Sequence, residues 1–251
     1  MKNQAFRLKR WIETGLLPRL TGRKQVRYLG WDVATEKLDD AVRRQGDHPA
    51  KTLALDWLTR EASLPERFSL LDVGCGPGVL AGMIDRHPTL RGRVSYTGID
   101  QSESALERCR ATYTGDFTFL KVNLQADPLP DRYDVITINE VVEHLPHYRE
   151  VIELALSMRP KIFVLTTFGV IPGLQRDRVR WNARHQSYMN SYSFEKLYEF
   201  LRAQPGQLWT ADLGSQAFDR YWFPQKAILV FYLRLEEPKV LWTGEGWTSP
   251  E

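Results

Sequence analysis

Two hydrophobic periods alternate along the chain. Pro49 to Glu61 carries Leu53, Leu55, Trp57 and Leu58 in a helix-like pattern. Phe68, Leu70, Leu71 and Val73 then form a short apolar run that suits a strand buried on both faces. Val79 to Arg86 reads as a helix, Val94 to Asp100 as a strand and Ser102 to Tyr113 as a helix. Phe117 to Val122 and Tyr133 to Ile138 read as strands. His147 to Met158 is a helix with Val151, Ile152, Leu154 and Leu156 apolar, and Lys161 to Thr166 is a strand. Ser193 is placed to cap a helix over Phe194 to Ala203, and Leu208 to Leu213 and Ala227 to Leu233 supply two last strands. Strands alternating with helices predict an α/β chain wound on both faces of a mostly parallel sheet.

The chemistry gathers where these strands end. Asp72, Val73, Gly74, Cys75, Gly76, Pro77 and Gly78 follow the first run directly. A glycine turn between strand and helix lets backbone approach a bound nucleoside closely. Asp100 ends the second strand, where a carboxylate accepts both ribose hydroxyls; it also suits the N-cap of the next helix, and the two roles are compatible. A dinucleotide dehydrogenase is the competing reading, but its usual turn is Gly-x-Gly-x-x-Gly, whereas this chain has Gly-x-Gly-x-Gly. After the fourth strand comes Asn139-Glu-Val-Val-Glu-His-Leu145. On a helical turn, Glu140, Glu143 and His144 fall at i, i+3 and i+4 on one face. Such a cluster suits a divalent cation, or His144 acting as a base.

By these motifs the chain resembles the class I S-adenosylmethionine-dependent methyltransferases over about Phe68 to Leu233. The resemblance implies a seven-stranded, mostly parallel Rossmann-like sheet that ends in a β-hairpin with its final strand antiparallel. It implies S-adenosylmethionine as cofactor, held by Asp72, Gly74, Cys75, Gly76, Gly78, Asp100, Gln101, Asn123, Leu124 and Asn139. Asn123 stands where the family often has Asp for the adenine amino group; its carbonyl oxygen accepts the same bond with less charge. The Glu-x-x-Glu-His turn is similar to that of ubiquinone-biosynthesis O-methyltransferases and of small-RNA terminal 2′-O-methyltransferases. In both, the resemblance implies a metal (Mg, Mn or similar) near the acceptor hydroxyl, here on Glu140, Glu143, His144 and His185. Other members of the family carry a Glu-His pair without metal, its His lining the cofactor pocket. His144 and His185 are the expected acceptor-side catalytic groups.

Thr167 to Tyr192 is long for a connection and holds Arg176, Arg178, Arg180, Trp181, Arg184, His185 and Tyr188. A cationic, aromatic insert at a strand's carboxyl end suits an anionic or glycosidic acceptor. Asn182-x-x-His185 and the following Tyr192-Ser193 resemble a stretch common in sugar and small-molecule methyltransferases. The expected activity is O-methylation of a small polar, glycan or natural-product-type acceptor. The alternatives are an RNA 2′-O-methyltransferase and a catalytically silent cofactor-binding protein.

Composition adds boundaries. The 251 residues suffice for one α/β domain over 51–251 with a helical extension or lid over 1–50. The extension's Met1 to Arg27 stretch carries Lys2, Arg7, Lys9, Arg10, Arg19, Arg23, Lys24 and Arg27 against Glu13. The pattern fits a solvated helix face, or contact with RNA or an anionic membrane surface. Net charge is only +3, so it says little about partners. Two cysteines make no disulfide framework and fit a reducing cytoplasm. No apolar run approaches the roughly 18 residues of a spanning helix. Phe218 to Pro224 reads as an aromatic lid or dimer surface, and the tail from Glu236 as draped chain.

Overall fold

The computed structural model describes residues 49–124, 127, 129, 132–146, 148–182, 187–212 and 229–235. Residues 1–48 of the 1–50 extension, Phe218 to Pro224, the tail from Glu236 and His185 lie outside the described residues, and Pro49 and Ala50 belong to the first described helix.

Helix α1 (Pro49–Arg60) leads into β1 (Phe68–Val73), α2 (Val79–Arg86), β2 (Val94–Asp100), α3 (Glu103–Thr112) and β3 (Phe117–Lys121). Then come β4 (Val135–Asn139), α4 (Tyr148–Ser157) and β5 (Ile162–Thr167). Five apolar runs thus form five parallel strands, in the order β5-β4-β1-β2-β3. Four short strands follow: β6 (Val170–Ile171), β7 (Trp181–Asn182), β8 (Ser187–Tyr188) and β9 (Tyr192–Ser193). After α5 (Phe194–Arg202), β10 (Gln207–Asp212) and β11 (Leu229–Arg234) complete a seven-stranded sheet. β11 lies antiparallel to both β5 and β10, so the sheet ends in the expected hairpin.

Both sheet faces are covered, which is why the strands read as near-continuous apolar runs. Successive side chains point to opposite faces. Leu70, Tyr96 and Val164 pack with Trp57, Leu58, Leu80, Ile84 and Leu106 on the side of α1, α2 and α3. Leu71, Val73, Ile138 and Leu165 pack with Ile152, Ala155, Leu197 and Leu201 on the side of α4 and α5. Ser102 caps α3 with its hydroxyl accepting the Ala105 N–H at 3.3 Å, and Ser193 caps α5 at Lys196 N.

Two regions differ from the sequence expectation. The connection after β5 is built, not plain loop. β6 pairs in parallel with β9, and β7 pairs antiparallel with β8. Two-residue strands are too short to leave a period in the sequence. The segment after β4 also forms no helix across Glu140 to His144. Glu140 has φ 56°, in the left-handed region, and only Val142–His144 winds as a single 3₁₀ turn.

Candidate active site

The carboxyl ends of β1, β2 and β4 meet beside the glycine turn and form one pocket. Its wall includes Asp72, Gly74, Cys75, Gly76, Asp100, Gln101, Asn123, Leu124 and Asn139. Nine of the ten residues expected to hold the cofactor are therefore brought together. Gly78 instead stands at the entrance to α2 with φ 81°. Gly74 has φ 73°, and a Cβ there would run into the Val141 side chain, so no other residue fits.

One of the two acidic residues braces this turn. Asp100 accepts the Gly76 N–H at 2.9 Å on one oxygen and the Ser102 N–H at 2.8 Å on the other. Asp100 thus ties the glycine turn to the α3 entrance, while Ser102 supplies the cap. Asp72 lies beneath, bonded by Tyr96 Oη at 2.7 Å, Thr137 Oγ1 at 3.0 Å and Asn139 Nδ2 at 3.1 Å. Burial pushes both carboxyls above the usual range, and these donors oppose the shift.

A residue that the sequence reasoning passed over completes the wall. Lys51 enters the pocket from α1, only 8% exposed, with its ammonium 3.5 Å from Glu140 Oε2. Its position carries a signal: Lys51, Ala54, Leu55 and Leu58 share the buried helix face at i, i+3, i+4 and i+7. A lysine on such a face is either snorkelling or functional.

His144 lines the same pocket. Its Nδ1 lies 2.8 Å from the Tyr188 carbonyl oxygen, and its ring meets Phe168 edge-on at 6.0 Å. A carbonyl only accepts, so Nδ1 carries the hydrogen, and the neutral form of the ring has its lone pair at Nε2.

Glu143 does not face the pocket with it. The side chain is 0% exposed, and Oε1 accepts from the Thr167 hydroxyl, from Phe168 N at 2.6 Å and from Gly169 N at 3.3 Å. The described residues do not support the expected metal. Glu140 Oε2 faces Lys51, Glu143 Oε1 is taken up at the β5 end, and His185 lies outside the described residues. Among the described residues no three His, Cys, Asp or Glu gather as a ligand set.

Burial pushes the Glu143 carboxyl up to about 7. The sign follows from a folded value above the unfolded one of about 4.5. From about pH 4.5 the unfolded chain ionises while the folded one keeps its proton, so stability falls until about pH 7 and then levels off. The loss is about 3 kcal/mol. Glu143→Gln should remove this dependence, gaining on the wild type from about pH 4.5 to about pH 7 in urea unfolding. Parallel pH curves would count against a protonated Glu143.

A methyltransferase-domain family model matches residues 42–203. The ubiquinone biosynthesis O-methyltransferase of Pseudomonas putida (strain GB-1) is 26% identical over 194 residues, 68% of this chain and 74% of the relative. That of Erwinia tasmaniensis is 33% identical over 116 residues, 44% of this chain and 46% of the relative. In fold, the chain is similar to the Burkholderia thailandensis 1,6-didemethyltoxoflavin-N1-methyltransferase, solved with 1,6-didemethyltoxoflavin and S-adenosylhomocysteine. The TM-score there is 0.57, with 15% identity over 83% of this chain and 88% of the other. It is also similar to the methyltransferase in complex with the Haloferax volcanii Trm112 activator. There the TM-score is 0.58, with 14% identity over 82% and 98%. Among the described residues no helix is long and apolar enough to cross a membrane. The glycine turn at the β1 end, the seven-stranded sheet with its antiparallel β11 and the family match agree: the chain belongs to the class I S-adenosylmethionine-dependent methyltransferases.

Proposed function

We propose that the chain O-methylates a small hydroxyl-bearing acceptor, polar or glycan in character, with His144 as the base. The observation that carries this reading is His144 in the wall of the cofactor pocket, its Nδ1 hydrogen committed to Tyr188 O at 2.8 Å. The ubiquinone biosynthesis O-methyltransferases among the relatives favour an oxygen acceptor.

In this reading Gly76, Asp100 and Asn123 would hold the cofactor's adenosine. Asp100 takes the ribose hydroxyls and Asn123 the adenine amino group. Lys51 binds the α-carboxylate of the methionine part, while Glu140 and Asp72 face its ammonium. S-adenosylmethionine supplies an electrophilic sulfonium methyl. With it bound, the acceptor oxygen would take the methyl from sulfur, a C–O bond forming as the C–S bond breaks, and His144 Nε2 would take the hydroxyl proton. Alignment of the two reactants can contribute about 7–11 kcal/mol of the barrier reduction. The aromatic insert, with Phe168, Trp181 and Tyr188, supplies the acceptor side. His185 remains a candidate second acceptor-side group.

Transfer of labelled methyl from S-adenosylmethionine into fractionated cell extract tests the reading. Label in the soluble small-molecule or glycan fraction, unchanged by chelator, is expected. Label confined to RNA would replace this reading with the RNA alternative. Cofactor binding without transfer to any fraction would point to the silent protein, and loss of transfer with chelator would restore the metal.

A further inference from the structure

The 3₁₀ turn that carries His144 is held less by its own bonds than by the insert that follows β5. It makes two internal bonds, His144 N to Val141 O at 2.9 Å and Leu145 N to Val142 O at 3.2 Å. The insert bonds carbonyls of the same turn. The Tyr192 hydroxyl lies 2.7 Å from Val142 O and 3.0 Å from Leu145 O. Asn190 N donates to Glu143 O at 2.9 Å, and Asn190 Nδ2 donates to Leu145 O at 2.8 Å and to the Tyr192 hydroxyl at 2.7 Å. Tyr188 O then takes the His144 Nδ1 hydrogen at 2.8 Å.

The same residues are tied to the outer hairpin. Asn190 Oδ1 accepts the Arg180 N–H at 3.0 Å, and Met189 N donates to Arg180 O at 2.9 Å. Arg180 adjoins Trp181, which is 44% exposed and meets the Tyr188 ring edge-on at 5.1 Å. Asn190 therefore uses one end of its amide on the hairpin and the other on the His144 turn. Both Asn190 (1%) and Tyr192 (0%) are sealed from solvent, so water has no route to replace either set of bonds.

We propose that Asn190 and Tyr192 are positioning residues that hold His144 in its Nδ1–H form and join its orientation to the β7–β8 hairpin. This rests on the reading of His144 as the acceptor-side base. Neither residue touches the reacting atoms. They fix where Tyr188 O and the His144 backbone sit relative to one another, and the Tyr188 carbonyl fixes the tautomer. An acceptor engaging Trp181 and Tyr188 would thus bear on the base through backbone already bonded to it.

The test uses the full chain with 15N-labelled histidine, bound to S-adenosylhomocysteine. The His144 signal is identified by its loss in His144→Gln. Tyr192→Phe removes only the hydroxyl and keeps the ring against Tyr148, whose centroid is 4.0 Å away. Asn190→Ser is the second variant, used alongside it should the first fold poorly. The expected result is S-adenosylhomocysteine affinity close to wild type in calorimetry, with His144 turning from a single Nδ1–H form into a mixture of tautomers. An unchanged His144 spectrum in either folded variant overturns the proposal, as does a parallel loss of S-adenosylhomocysteine binding. Full turnover in His144→Ala would instead remove the base role on which the proposal rests.

Discussion

His144→Ala should lose about 10²–10⁴ in kcat, the usual worth of a positioned general base, while S-adenosylmethionine binds as before. The glycine turn, Asp100 and Lys51 stay intact in that variant. The size of the loss should depend on the acceptor. A hydroxyl that ionises near neutral pH delivers its oxyanion without help, so its methylation should suffer least. An alcohol that holds its proton far above neutral pH needs the base most and should suffer most. Measuring kcat for wild type and variant across hydroxyl acceptors of falling pKa makes this visible as a shrinking ratio. A constant ratio would assign His144 to orientation alone, and no loss for any acceptor would remove it from the chemistry.

The parts of the site that were legible in the sequence are those written in local spacing. Phe68 to Val73 followed by three alternate glycines leaves few options besides a buried strand and a backbone turn, and Asp100 ends a second such run. The parts that were not legible depend on conformation or on distant partners. Spacing alone places Glu140 and His144 on one helix face, yet the left-handed backbone at Glu140 turns its side chain to Lys51. Nothing in a run of residue types announces φ 56° at a glutamate. Glu143 illustrates the same limit: as a sequence motif it suggests a ligand, and in the fold it anchors Thr167, Phe168 and Gly169. Asn190 and Tyr192 reach carbonyls 45 and 50 residues earlier in the chain. Their roles emerge only when the short β6–β9 pair lays the insert against the β4 end. Lys51 is the intermediate case, since its helical spacing with Ala54, Leu55 and Leu58 marks it as inward-facing before any fold is known.

Lys51→Met should weaken S-adenosylhomocysteine binding about 10–100-fold, since a hydrogen bond to a charged group contributes about 1.5–3 kcal/mol. The argument is one of charge in a sealed place. A lysine exposed only 8% is costly to leave unpaired, and here it is held between Glu140 at 3.5 Å and the field of the buried Asp72. Two carboxylates around one ammonium leave the pocket acidic, and a ligand bringing both a carboxylate and an ammonium exchanges partners without stranding any charge. The substitution also takes the ion pair away from Glu140, so the single variant mixes two effects. The double variant Lys51→Met/Glu140→Gln separates them, because it removes the stranded carboxylate charge and keeps the loss of the anchor. A ligand comparison separates them further. 5′-Methylthioadenosine has the adenosine but neither the carboxylate nor the ammonium of the amino acid. Wild type should prefer S-adenosylhomocysteine over it strongly, and the double variant should lose most of that preference while binding 5′-methylthioadenosine almost unchanged. Equal weakening of both ligands would show that Lys51 shapes the pocket as a whole and does not recognise the carboxylate.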